Sequence, residues 1–232
     1  MGNTATEAIR RRKPVECCQP DTIVVSIGYP VTDSVYGNQR ATDCQPPTSD
    51  GSIPSMPGVP SGAENFMDFL DQTLRPWIKN TVFPNVQHGR DAIYGHSFCG
   101  LFTIWALITR PKLFDTFFSA SPAIFWNGKS ILTELGRLNN HTITGTKPAY
   151  AIGYGSLEQF PVKRRTETQA AFNTRKSFIQ TFEMTDNCQA LYNGVKNSPN
   201  LRDVKIKEYK NSDHFAVGGA GLFDGYEYFI DW

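Results

Sequence analysis

Short apolar runs alternate with longer helical patterns along this chain. TIVVSIGYP (22–30) is rich in β-branched residues and stops at Gly28-Tyr29-Pro30, so it reads as a buried strand. DAIYGHS (91–97), FDTFFSASPAIF (114–125, a strand with its exit), PAYAIGYGS (148–156) and DVKIKEY (203–209) read as further strands. Between the first two, Ser61 and Glu64 have the spacing of a helix capping box. The helix predicted to follow carries Phe66, Phe69, Leu70, Leu74, Trp77 and Ile78 on one stripe, and Pro76 within it predicts a kink. CGLFTIWALITR (99–110) is apolar nearly all round, which predicts a deeply buried helix ending at Pro111. Residues from Lys163 to about Asn197 read as helical and polar. GLFDGYEYFIDW (221–232) reads as a closing helix with Leu222, Phe223, Tyr226, Phe229 and Ile230 on its apolar side. Strands alternating with helices predict an α/β sandwich around a mostly parallel sheet. Residues 1–20, with the basic run Arg10 to Lys13, read as a polar tail, and 21–232 as one domain. The Pro-, Gly- and Ser-rich stretch 31–62 reads as a long functional loop.

The chain's 232 residues suffice for one domain with a real core. A formal net charge of +1 gives no electrostatic pull toward nucleic acid or an acidic membrane surface. No apolar run reaches the length of a membrane span, and the start lacks an apolar leader, so a cytoplasmic protein is expected. The five cysteines (17, 18, 44, 99 and 188) are odd in number and form no CxxC pair. They read as free thiols in a reducing compartment, with neither a disulfide frame nor a metal site. MGNTAT at the start fits a myristoylation pattern and Asn140-His141-Thr142 a glycosylation triplet. Both patterns are short and common, and both read as chance.

The chemistry concentrates in YGHSFCGLF (94–102). A G-x-S-x-G signature needs a strand, a sharp turn and a helix, in that order, and the apolar pattern supplies all three. Gly95 leaves room beside a strained serine backbone, and Ser97 would stand exposed at the tip. The backbone N–H of Phe98, at the helix N-terminus, would face a developing oxyanion. Cys99 stands at the last glycine position, where it reads as a small packing substitute followed at once by Gly100; a reactive thiol is the other reading. A glycine corner without chemistry is the plain alternative for the whole stretch.

A serine hydroxyl needs a base. Of the two histidines after Ser97, His141 lies in a polar, loop-like stretch, whereas His214 follows the last predicted strand, where a parallel sheet delivers its active loops. His214 is therefore the expected base. Glu158, just past the fourth strand, is the expected carboxylate partner. Asp213 is disfavoured because neighbouring side chains on an extended chain point opposite ways. Asp203, Glu183 and a Ser-His dyad with no acid remain as alternatives. The second oxyanion donor would be the backbone N–H of Tyr29, since Pro30 has none; a simple strand terminator is an equal reading.

IGYP, GHSFCGLF, ASPAIFW, GYGSLEQ and DHF, in this order, resemble the esterases of the α/β-hydrolase superfamily, and among them the siderophore esterases. The resemblance runs from about Thr22 to the end. It implies an α/β-hydrolase sandwich and hydrolysis of a carboxylic ester or lactone through an acyl-serine. It implies neither metal nor organic cofactor and a small-molecule substrate such as a ferric siderophore; the charge balance, separately, points to no nucleic acid or membrane partner. It matches Ser97 and His214 to the nucleophile and base, and Glu158 to the acid. It sets Arg40 and Asp43 beside the substrate, where plain surface charges are the competing reading. Relatives carry more strands ahead of the IGYP strand, so the sheet is expected to be N-terminally truncated. Lys163, Arg164 and Arg165 read as a solvated helix face, with attraction of an anionic substrate as the alternative. An inactive hydrolase-fold protein, a thioesterase or peptidase, and an acyltransferase are the competing functions.

Overall fold

The computed structural model describes residues 2–12, 15, 19–29, 38–48 and 59–231. Helix α1 (Gly2–Arg12) precedes an irregular segment, 19–29, and the short helix α2 (Asn38–Cys44). A continuous helical run, α3 (63–82), leads to β1 (Ala92–His96) and α4 (Phe98–Thr109). Then come β2 (Thr116–Ala120), short helical turns, β3 (Ala149–Gly155), α5 (Gln169–Gln180), α6 (Met184–Val195), β4 (Asp203–Tyr209) and α7 (His214–Ile230). The four strands form one parallel sheet in the order β1-β2-β3-β4. The fold is the expected α/β-hydrolase sandwich.

The layers follow from the apolar patterns. Nine of the twelve residues of α4 are buried, as its all-round apolar character predicts. It fills the larger core together with Met67, Leu70, Phe117, Ile152 and Leu191. On the other face α7 covers Phe118, Ala120, Ala149 and Ala151 with Val217 and Tyr228. β2 and β3 are buried along their whole length, while β1 and β4 are only partly covered. In register, His96 pairs with Ala120, Ala120 with Gly153, and Gly155 with Tyr209, so the strands deliver their C-terminal exits to one edge.

Several expectations change. Residues 21–29 form no strand, and Ile23, Val24, Val25 and Ile27 are 36–47% exposed instead of buried. An apolar run becomes a buried strand only with a partner on its edge and cover on its faces; Pro30 lies outside the described residues. Ser61 caps no helix: its hydroxyl donates to the Gln45 carbonyl, and Glu64 instead accepts from Trp105 Nε1 and Arg110. Around Pro76 the helix keeps right-handed geometry but widens into π turns at Leu70–Leu74 and Ile78–Val82. That rearrangement accommodates a residue with no N–H to donate. Phe69 and Trp77, placed on the buried stripe, are 42% and 54% exposed. The polar stretch after Lys163 is two helices, and Lys163, Arg164 and Arg165 lie in the exposed loop before the first of them. The closing helix begins seven residues early, at His214, because the Asp213 side chain accepts from Ala216 N and caps it.

The cysteines need the largest correction. Cys44 and Cys99 form a disulfide, with an S–S distance of 2.10 Å across a sequence separation of 55. The free-thiol reading failed because residues so far apart in sequence are brought together only by the fold. Cys188 is free and buried, while Cys17 and Cys18 lie outside the described residues. Among the described residues no helix is long and apolar enough to cross a membrane, and no cluster of potential metal ligands occurs.

Candidate active site

Ser97 occupies the one-residue turn between β1 and α4, with φ 63° and ψ −121°. A non-glycine residue adopts such a backbone only where its surroundings enforce it. Three hydrogen bonds do so here. Ser97 N–H donates to the Ala120 carbonyl at 3.0 Å, and the Ser97 carbonyl accepts from Leu101 N and Ala123 N, each at 3.0 Å. The turn is so tight that a Cβ on Gly95 would lie 2.0 Å from the Cys99 carbonyl oxygen. Close helix-on-strand approach at the other end falls to Gly100, where a Cβ would meet Pro122 Cα at 3.0 Å. Cys99 is thereby released from the glycine role, and its sulfur ties the first turn of α4 to the end of α2.

His214, the first residue of α7, places Nδ1 2.6 Å from Glu158 Oε2. The Glu158 side chain is only 3% exposed. Its other oxygen accepts from the Ser121 hydroxyl at 2.6 Å and the Gly155 N–H at 2.7 Å. A buried carboxylate with three donors around it is held rigidly and has little freedom to turn away from the imidazole. The two loops are also laced together: Leu157 N donates to the Ser212 carbonyl, and Asn211 N to the Ser156 side-chain Oγ. The alternative acids are engaged elsewhere. Asp213 caps α7, Asp203 accepts from the Tyr228 hydroxyl, and Glu183 pairs with Lys129.

The Ser97 hydroxyl makes no hydrogen bond to a described side chain, His214 included. Nucleophile–base contacts often tighten only with substrate in place. Phe98 is the first residue of α4, so its N–H has no partner within the helix and sits at the positive end of the helix dipole. Tyr29 is fixed by its phenol, which donates to Asp43 Oδ2 at 2.8 Å. Burial, and then the hydrogen bond to Asp43, raise the pKa of that phenol, so it stays a donor. Arg40 donates to the carbonyl of His96 at 3.1 Å, next to Ser97. The structure thus brings Tyr29, Arg40 and Asp43 together along the elbow. His141 is remote: its Nε2 meets the Ile108 carbonyl at 2.9 Å near the far end of α4, beside a surface hollow of about 340 Å³ lined by Asp71, Arg110 and Lys112.

Two neighbours of the site carried little sequence signal. His96 fills the variable position of the motif. Its Nε2 is 2.8 Å from the His214 carbonyl, and the two rings lie tilted by 40° with centroids 4.5 Å apart. A carbonyl only accepts, so His96 carries its proton on Nε2. Burial, and next the charge of His214, lower its pKa to about 4. Ser121, with φ 42°, was hinted at only by its place at the exit of the strand beside the one leading to Glu158.

Residues 23–193 match the model of a family described as "Putative esterase". A siderophore enterobactin esterase of Emericella nidulans is 39% identical over 230 residues, which is 96% of this chain and 76% of that protein. A siderophore triacetylfusarinine C esterase of Aspergillus fumigatus is 33% identical over 233 residues, 99% and 78% of the two chains. The solved siderophore hydrolase EstB from Aspergillus nidulans superposes with a TM-score of 0.91 at 34% identity, covering 99% of this chain and 79% of its own.

Proposed function

The chain belongs to this esterase family and is an ester-hydrolysing enzyme, and from that premise we propose a serine mechanism acting on a siderophore ester. Ser97 Oγ attacks the ester carbonyl while His214 Nε2 takes its proton. The tetrahedral oxyanion is held by the backbone N–H groups of Phe98 and Tyr29. Collapse breaks the carbon–oxygen bond to the alcohol, which leaves with the proton from His214, and the acyl group stays on Ser97. Water, deprotonated by His214, then attacks the acyl-serine. A second collapse returns Ser97 with its proton and releases the acid. Glu158 accepts the Nδ1–H throughout and stabilises the imidazolium. These steps use only side chains, backbone and water. Arg40 and Asp43 border the substrate in this reading.

The observation that carries it is the 2.6 Å contact from His214 Nδ1 to a buried, triply bonded Glu158. Intact mass after a fluorophosphonate probe tests it on wild type, Ser97→Ala and Glu158→Gln. The expected result is one adduct on wild type, none on Ser97→Ala, and labelling slowed on the order of 10³-fold in folded Glu158→Gln. Folded wild-type protein without an adduct overturns the hydrolase mechanism in favour of a hydrolase-fold protein without activity.

A cytoplasmic location belongs to the same proposal. Free thiols no longer support it, since disulfides are rare in reducing compartments. In the cytoplasm the bond would survive because Cys44 is fully buried, which limits thiol exchange.

A further inference from the structure

Four phenylalanines form a continuous row that starts at the serine turn. Phe98 follows Ser97 directly, and its ring lies edge-on to Phe125 with centroids 6.4 Å apart. Phe125 meets Phe182 at 4.5 Å, and Phe182 meets Phe178 at 4.9 Å. The four come from three separate connections: the β1–α4 turn, the exit of β2, and α5 with the loop before α6.

Phe98 and Phe125 rest partly on the larger core, but that core does not enclose the row. Core phenylalanines of this chain are essentially covered, with Phe102 at 2% and Phe117 at 0% exposure. Phe98, Phe125 and Phe182 are only partly buried, and Phe178 at the outer end is 62% exposed. The row is also braced. Glu183, directly after Phe182, has φ 46°, while Asn127 and Lys129, just after Phe125, have φ 47° and 65°. The Lys129–Glu183 ion pair joins the two loops. Left-handed backbone at three non-glycine residues marks a geometry imposed by its surroundings, which is common where a ligand is held. Further exposed rings, Phe160 and Phe215, follow Glu158 and His214 closely in sequence.

We propose that Phe98, Phe125, Phe182 and Phe178 form an aromatic track that binds a planar, unsaturated or aromatic group of the ester substrate and leads it to Ser97. Phenyl faces and edges favour flat π-systems over saturated groups of equal size. The track therefore selects for planarity as well as for apolar area. The proposal rests on Ser97 being the nucleophile, but its test does not depend on turnover.

The test measures binding to Ser97→Ala protein of two esters, methyl cinnamate and its saturated counterpart methyl 3-cyclohexylpropanoate. The expected result is a preference of about five-fold for the cinnamate, the size of an aromatic pair contact. Adding Phe182→Leu should bring the two within about two-fold of each other, with the larger loss falling on the cinnamate. Phe178→Leu, at the exposed end, gives a milder loss and serves if Phe182→Leu does not fold. Equal affinities, no binding of either ester, or a preference that survives both substitutions overturns the track. Failure of the serine mechanism shows separately, as wild-type protein that takes no fluorophosphonate adduct.

Discussion

His96 shows how a residue at a variable motif position becomes part of the site. Its Nε2–H donates to the backbone carbonyl of His214 and so helps to fix where the base stands at the start of α7. Its ring also lies against that base, and two adjacent imidazolium ions would repel. Burial and the charge of His214 resolve this by lowering the His96 pKa to about 4; Glu158 opposes the shift and Arg40 adds to it. A base whose folded pKa lies below its unfolded value of about 6.5 stabilises the fold above that pH. The contribution is lost as pH falls from about 6.5 through about 4, because the unfolded chain binds the proton first. The shift corresponds to roughly 3 kcal/mol at most. Urea unfolding at pH 7 and pH 4.5 should therefore show a loss of stability in wild type that is reduced by about half or more in His96→Gln, which keeps an N–H near the same place. Equal losses in the two proteins would assign the acid sensitivity to other groups.

The elements differ in how far the sequence announced them. β2, β3 and α4 were legible because a buried strand between helices, or a helix covered all round, leaves a nearly unbroken apolar pattern, and the half-covered β4 because DVKIKEY alternates. The same reasoning misread 22–30, since an apolar run does not reveal whether a neighbour covers it. The serine turn and the His214–Glu158 pair were legible because motif order and strand exits constrain them. The Cys44–Cys99 bond was not, because contacts between distant residues depend on tertiary placement. That bond has consequences for α2, which carries Arg40 to the His96 carbonyl and Asp43 to the Tyr29 phenol. Opening it frees a loop of 55 residues in sequence separation, which in the chain-entropy account costs about 4 kcal/mol. A protein carrying Cys44→Ser and Cys99→Ser should unfold at lower temperature and label Ser97 more slowly, by about ten-fold, with α2 loosened. A lower melting point with an unchanged labelling rate would limit the bond to stability.

Across the whole molecule the parallel sheet explains why the candidate groups meet. The exits of β1, β2, β3 and β4 supply Ser97, Ser121, Glu158 and His214 to one edge. Tyr29 is the exception. It arrives on an irregular segment outside the sheet ladder, with exposed apolar side chains behind it and a phenol anchored to Asp43. The proposed oxyanion site thus joins a donor at a helix start, Phe98, to one on a segment outside the sheet. Amide exchange should show that contrast. β2 and β3, buried along their length and paired on both sides, should exchange slowest, and residues 22–29 among the fastest. Once a fluorophosphonate occupies Ser97, its oxygen would accept from Tyr29 N–H, and exchange in peptides covering 22–29 should slow by about ten-fold. Unchanged exchange there, with β2 and β3 still protected and Ser97 labelled, would remove Tyr29 from the oxyanion site and leave Phe98 as its donor from this edge of the sheet.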